Sequence, residues 1–143
     1  MKQKLLISAC LYGENVRYDG KNSLLPSEIF QKLSKKYDLI PFCPEVEGGL
    51  ETPRVPNEIQ KDGRLIDRDG VDNSDAFEFG AIKTLQLCIK KNIKIALLKS
   101  QSPSCSNNFI YDGTFSKKLI KGDGVTAKLL KLNSIKIINE TEI

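Results

Sequence analysis

The segment Lys94–Cys105, K-I-A-L-L-K-S-Q-S-P-S-C, limits the fold more tightly than any other stretch of this chain. Ile95–Leu98 is a short apolar run behind one Lys, with the length and richness of a buried strand. Its continuation changes character at once, to hydroxyls, a proline and a thiol. Pro103 fixes its own φ and keeps Ser102 out of the helical region, so the loop is stiff just before Cys105. Two further runs behave in the same way: Lys4–Ala9 ends at Cys10, and Asp38–Phe42 ends at Cys43. Ile135–Ile138 reads as a fourth strand.

Helical periodicity fills the intervals. Ser27–Lys36 carries Ile29, Phe30 and Leu33 on one face, and Ser74–Lys91 carries Phe77, Ala81, Leu85 and Cys88. Val125–Leu132 adds Ala127, Leu129 and Leu130. Ser27 and Ser74 are the predicted N-caps of the first two. Strands alternating with helices predict a mostly parallel sheet of about four strands in a three-layer α/β domain. Pro41 puts the second strand at an edge or makes it end there. Cys43–Gln60 reads as a long irregular segment, and such loops are usually functional. Arg64–Val71 is a predicted hairpin turning at Asp69-Gly70, and Phe109–Phe115 a second one turning at Asp112-Gly113. No repeat or linker interrupts the pattern, so residues 1–143 are expected to form one domain.

Composition removes several classes of function. The fractions of 40% hydrophobic and 28% charged residues are those of an ordered globular chain. The amino-terminal M-K-Q-K-L-L-I-S-A-C has an apolar run too short for a leader, soon meeting Glu14 and Arg17, so it reads as the first strand. No run approaches the ~18–20 residues of a membrane span. A cytoplasmic protein is therefore expected. The net charge of +4 is mild and dispersed, with Lys128 and Lys131 on a solvated helix face. No basic stripe interleaved with aromatics is present, nor a G-x-G-x-x-G or P-loop. DNA and membrane are thus not expected partners.

The chain contains four cysteines and no histidine. The missing His excludes Ser-His-Asp and Cys-His catalysis and removes the commonest zinc ligand. Cys88 has helical spacing from Leu85 and reads as core. Cys10, Cys43 and Cys105 each follow a strand, and in an open parallel sheet those strand ends face one edge, where ligands collect. The three thiols are then unrelated buried residues, a redox pair, a metal site or an iron–sulfur site. Spacing does not choose among them.

The surrounding motifs do choose. They are S-A-C-L-Y-G-E-N-V-R-Y-D-G at Ser8–Gly20, P-F-C-P-E-V-E-G-G-L-E-T-P-R at Pro41–Arg54 and K-S-Q-S-P-S-C at Lys99–Cys105. I-Y-D-G-T-F-S at Ile110–Ser116 and G-D-G-V-T-A at Gly122–Ala127 follow. Together, and in this order from about Leu5 to Ile138, they resemble the bacterial thiouracil desulfurase (TudS-like) family. The resemblance implies a Rossmann-like α/β domain holding an oxygen-sensitive [4Fe-4S] cluster on Cys10, Cys43 and Cys105. It implies removal of sulfur from 2-thiouracil, 4-thiouracil or their nucleosides, giving uracil and sulfide. The family's acid–base carboxylate falls on Glu45 and its catalytic serine on Ser102. Relatives with an additional carboxy-terminal domain act on tRNA; this chain is expected to take the small thiolated nucleobase or nucleoside. It departs from the family at Ser106, where Gly usually follows the third Cys, with Asn107 and Asn108 able to supply a left-handed turn.

Glu45 lies two residues beyond one proposed ligand, within reach of a water attacking the ring carbon. Ser102 either donates to substrate or closes a Ser–Pro turn. Arg17 and Arg54 bind substrate, or pair with Asp19 and Glu51. Asp19, Lys99, Asp112 and Asp123 follow turn or strand-end logic and carry no expected chemistry. Two other functions fit the same sheet edge: a non-catalytic nucleotide- or RNA-binding module, and a cluster-dependent sulfur-transfer protein.

Overall fold

A computed structural model describes residues 2–143. The elements in chain order are β1 (Gln3–Ser8), α1 (Ser27–Lys36), β2 (Tyr37–Phe42), α2 (Pro44–Glu47), β3 (Asn57–Ile59) and β4 (Leu65–Asp67). They continue with α3 (Ser74–Lys91), β5 (Ile95–Leu98), β6 (Phe109–Tyr111), β7 (Leu119–Lys121), α4 (Val125–Leu132) and β8 (Lys136–Asn139). Strands β2, β1, β5 and β8 lie side by side in that order, and each neighbouring pair is parallel. β2 is an edge strand, where Pro41 costs no ladder hydrogen bond.

Successive side chains of the sheet alternate between two cores. Leu6, Ala96, Leu98 and Ile137 face α3 and α4, packing with Cys88, Ala127 and Leu130. Leu5, Ile7, Leu97 and Ile138 face the other way, against Leu25, Ile29, Phe30 and Leu33 around α1. This is the three-layer, Rossmann-like α/β arrangement expected from the sequence. Leu5, Ile7, Leu97 and Leu98 are wholly shielded from solvent, and each such side chain contributes roughly 1.5–3 kcal/mol.

Several local expectations are corrected. Ser27 and Ser74 are the first residues of their helices, not caps; Pro26 and Asn73 occupy the N-cap positions, with no side-chain cap bond. The Ser74 hydroxyl accepts the Leu65 N–H instead. The segment Cys43–Gln60 is not irregular throughout, since it contains α2 and β3. β4 pairs antiparallel with β3 across a turn at Asp62-Gly63. The Asp69-Gly70 turn exists too, but closes only the single bridge Ile66–Asp72 because the Asp67 carboxylate accepts the N–H groups of Asp69 and Val71. The second hairpin pairs β6 with β7 across a loop wider than expected, 112–118.

Candidate active site

The chain leaves β1 for β2 on one side and returns to β5 on the other. β1 and β5 therefore flank the point where the direction of winding reverses, the usual place for a ligand in such sheets. Cys10 follows β1, Cys43 follows β2 and Cys105 lies beyond β5. All three line one cavity of about 330 Å³, together with Arg17, Glu45, Arg54 and Ser102. The cavity falls in the size range of small-ligand sites. Every candidate site residue named from the sequence thus meets in one place. Cys88 does not; it is buried under α3, as expected of a core thiol.

Short-range bonds hold the three loops. The Ser8 hydroxyl accepts the Lys99 N–H at 2.9 Å, tying the ends of β1 and β5 together. The Ala9 N–H reaches the Phe42 carbonyl at 3.1 Å, which ties β1 to β2. Cys43 stands at the N-cap of α2 in an extended conformation, with Pro44 as the first helical residue. α2 rests directly on α3 because residue 80 is glycine: a Cβ there would lie 1.9 Å from the Pro44 carbonyl oxygen. Gly124 plays the same part for the third thiol, a Cβ there falling 2.4 Å from the Ser104 carbonyl carbon. With it absent, the Val125 and Thr126 N–H groups donate to Pro103 and Ser104. Glu140, just past β8, completes the hold: it accepts the Ser100 N–H and hydroxyl and pairs with Lys99 at 3.0 Å.

Ser102 closes the turn expected of a Ser–Pro pair, its hydroxyl oxygen accepting the Ser104 and Cys105 N–H groups at 3.1 and 3.0 Å. That leaves the hydroxyl proton to donate elsewhere. Arg54 donates to Glu45 at 3.3 Å, to the Glu51 and Val16 carbonyls and to the Thr52 hydroxyl. Its side chain is 8% exposed, so the guanidinium is a splint between the Cys10 and Cys43 loops. Its partner at Glu51 is the carbonyl, not the carboxylate. Arg17 pairs with Asp19 at 3.2 Å and donates to Ser23. Ser106 adopts ordinary negative φ, and so do Asn107 and Asn108; the left-handed turn foreseen at the asparagines is not made. The fully buried Ser106 hydroxyl donates to the Phe109 carbonyl, work a glycine would leave undone.

Burial pushes the Cys10 and Cys105 thiols up to about 12 and raises Cys43 as well. A thiolate at Cys43 adds to the shift at both of the others, the electrostatic mark of three sulfurs sharing one site. The Cys105 thiol feels Cys10 and Glu45 in the same sense. Burial also raises the Glu45 carboxyl, against the pull of Arg54. Among the described residues no three Cys, Asp or Glu side chains gather closely enough to hold a single metal ion. A donor set of three thiols, Cys10 and Cys105 buried and Cys43 half-buried, without histidine, suits an iron–sulfur group, which is held by cysteine thiolates.

The cavity wall also holds Glu58, Arg68, Tyr111, Phe115 and Lys117, to which the sequence assigned no role. They come from β3, β6 and the loops after β4 and β6. Phe115 and Lys117 hold left-handed φ values of 56° and 62°, conformations that cluster at functional sites. The one usable hint in the sequence was I-Y-D-G-T-F-S itself, quoted as a motif without any role for its aromatic residues.

The sequence model of the 2-thiouracil desulfurase family matches residues 5–142. An uncharacterized protein of Bacillus subtilis (strain 168), YbbK, is 38% identical, with 97% of each chain covered. A solved structure described as a [4Fe-4S]-dependent thiouracil desulfidase, TudS, superposes with a TM-score of 0.94 at 39% identity. The superposition covers 99% of this chain and 93% of that one. Among the described residues no helix is long and apolar enough to cross a membrane. Motif order, cavity and matched length agree: the chain belongs to the 2-thiouracil desulfurase family.

Proposed function

We propose that this protein is an iron–sulfur-dependent desulfidase converting a thiolated pyrimidine and water into the corresponding uracil and sulfide. The substrate is 2-thiouracil, 4-thiouracil or one of their nucleosides, a size the cavity suits. Cys10, Cys43 and Cys105 would hold a [4Fe-4S] cluster, which three thiolates leave with one iron free of protein ligands. When bound, the cluster supplies a soft Lewis acid for the thiocarbonyl sulfur.

The remaining work falls to the chain's own groups. Glu45 has Oε1 engaged by Arg54, so Oε2 is the atom that takes a proton from the attacking water and returns it to the leaving sulfur. Arg54 fixes that carboxyl relative to both thiol loops. The Ser102 hydroxyl, its oxygen held by two backbone N–H groups, donates its proton towards the substrate. Arg17 supplies positive charge at the same wall.

The observation that carries this reading is the meeting of three strand-end thiols and Glu45 in one cavity. The test is oxygen-free reconstitution with iron and sulfide, then incubation with 2-thiouracil and 4-thiouracil. A brown protein that yields uracil and sulfide is expected. Cys43→Ala should abolish sulfide release, while Cys88→Ala should leave it largely intact. Equal loss in the two variants, or an iron-free colourless wild type, would refute the reading.

A further inference from the structure

Glu58, the middle residue of β3, is a buried carboxylate that the chemistry above leaves idle. It is 8% exposed and lines the cavity. Its Oε1 accepts the Gly113 N–H at 3.0 Å and the Phe115 N–H at 3.1 Å, which pins the 112–118 loop to β3. Gln60 adds a bond to the Gly113 carbonyl at 3.2 Å. The second oxygen, Oε2, accepts no hydrogen bond and joins no ion pair among the described residues. In that same set no fully enclosed side-chain oxygen or nitrogen lacks a partner, so Oε2 is open to approach, on a side chain that lines the cavity.

A carboxylate oxygen can only accept, and one more than nine-tenths buried costs free energy until a donor reaches it. Pyrimidines differ in what they offer. A uracil-type ring carries a donor at N3–H, whereas a cytosine-type ring presents N3 as a bare acceptor. In 2-thiouracil and 4-thiouracil alike, N3–H adjoins the thiocarbonyl carbon. In a nucleoside, where N1 bears the sugar, it is the ring donor that remains.

Building on the desulfidase reading, we propose that Glu58 is the specificity-determining residue of the site. Its free oxygen accepts N3–H of a thiolated uracil and turns away a thiolated cytosine, whose N3 faces it acceptor to acceptor. Rejection follows because such a meeting leaves two buried acceptors unpaired, the case in which polar sites discriminate most sharply. The latch and the recognition use different oxygens of one carboxylate. They are therefore separable by experiment.

Glu58→Gln makes the separation. The amide oxygen still accepts from Gly113 and Phe115, and the amide nitrogen replaces an acceptor with a donor in the cavity. The ratio of kcat/KM for 1-methyl-2-thiouracil over 1-methyl-2-thiocytosine, in which N1 offers no donor, should fall about 100-fold or more in the reconstituted variant. A variant that slows both substrates equally has lost only its loop, and that overturns the proposal. A wild-type measurement covers poor folding of the variant: 1-methyl-4-thiouracil keeps N3–H beside its thiocarbonyl and should be turned over, while 3-methyl-4-thiouracil has no donor there and should lose about 100-fold in efficiency. Equal turnover of the two methyl isomers overturns the proposal as well. Calorimetric binding of 1-methyluracil and 1-methylcytosine separates this inference from the reaction. If wild type releases no sulfide, the desulfidase reading fails; a preference for uracil that Glu58→Gln reverses still supports the role of Glu58, and an unchanged preference refutes it.

Discussion

The central sheet and the two hairpins on its rim are built on opposite principles. In the sheet, β1 and β5 present apolar side chains on both faces, and stability comes from burial that is non-directional and additive. In the hairpins the strands are three residues long, and β7 is solvent-exposed at every position. They are held by single polar anchors: Glu58 to the 112–118 loop, Asp67 within its own turn, Asn73 to Asn57 at 2.9 Å. Directional bonds add little stability but place a backbone closely. The candidate site draws its sulfurs from the ends of the first region and much of its opposite wall from the second. A firm base carries the three thiols and a lightly held rim faces them, in keeping with the lower stability of binding loops.

The contrast can be broken from either side. Leu97→Ala removes a fully buried side chain from the middle of the sheet and should cost about 2–5 kcal/mol in chemical denaturation, with amide protection lost throughout. Glu58→Ala strips the rim of its anchor. It should cost roughly 1–3 kcal/mol locally, read as faster hydrogen exchange at Gly113 and Phe115 with the sheet amides unchanged. Global loss of protection in that variant would show that the two regions form one cooperative unit.

Glu140→Gln probes the tie between the ends of β5 and β8 and should cost about 1–2 kcal/mol at neutral pH. Burial pulls the Glu140 pKa up, but the Ser100 N–H and hydroxyl and the Lys99 ammonium outweigh it and hold the carboxyl below its ordinary 4.5. A carboxylate depressed in this way stabilises the fold above pH 4.5, and the contribution drains away as pH falls through its folded value. The stability gap between wild type and variant should therefore be full at pH 7 and close below 4.5. The smallest effect belongs to Lys131→Met, which breaks a largely exposed pair with Asp123 and should change stability by no more than about 0.5 kcal/mol.

The same division decides what could be read from the sequence. Ile95–Leu98, Lys4–Ala9 and their companions were legible as strands because apolar runs and helical spacing are local patterns. Cys10, Cys43 and Cys105 could be brought to one edge by parallel topology alone. The rim was opaque for the converse reason. Glu58 sits in a strand too short to show a period, and its partners lie 55 and 57 residues away. Arg54 was expected to bind substrate or pair with Glu51, and its bond to the Val16 carbonyl, 38 residues away, has no local signature. Two Asp-Gly pairs flank β4, and nothing local says that Asp62-Gly63 closes the ladder while Asp69-Gly70 closes a tighter turn. Ser27 and Ser74 satisfied the capping pattern, yet tertiary packing used Ser74 for β4 instead.

The glycine at position 80 has a reach beyond its own helix. No atom of α3 lines the cavity, yet the bare backbone there acts as a ruler, setting how deeply the Pro44 carbonyl, and with it Cys43 and Glu45, may settle. Even one added methyl would have to widen a 1.9 Å gap to at least 3.0 Å, displacing one sulfur while its two companions stayed put. The seat of one cavity thiol is in that sense gauged by a hydrogen atom on a neighbouring helix.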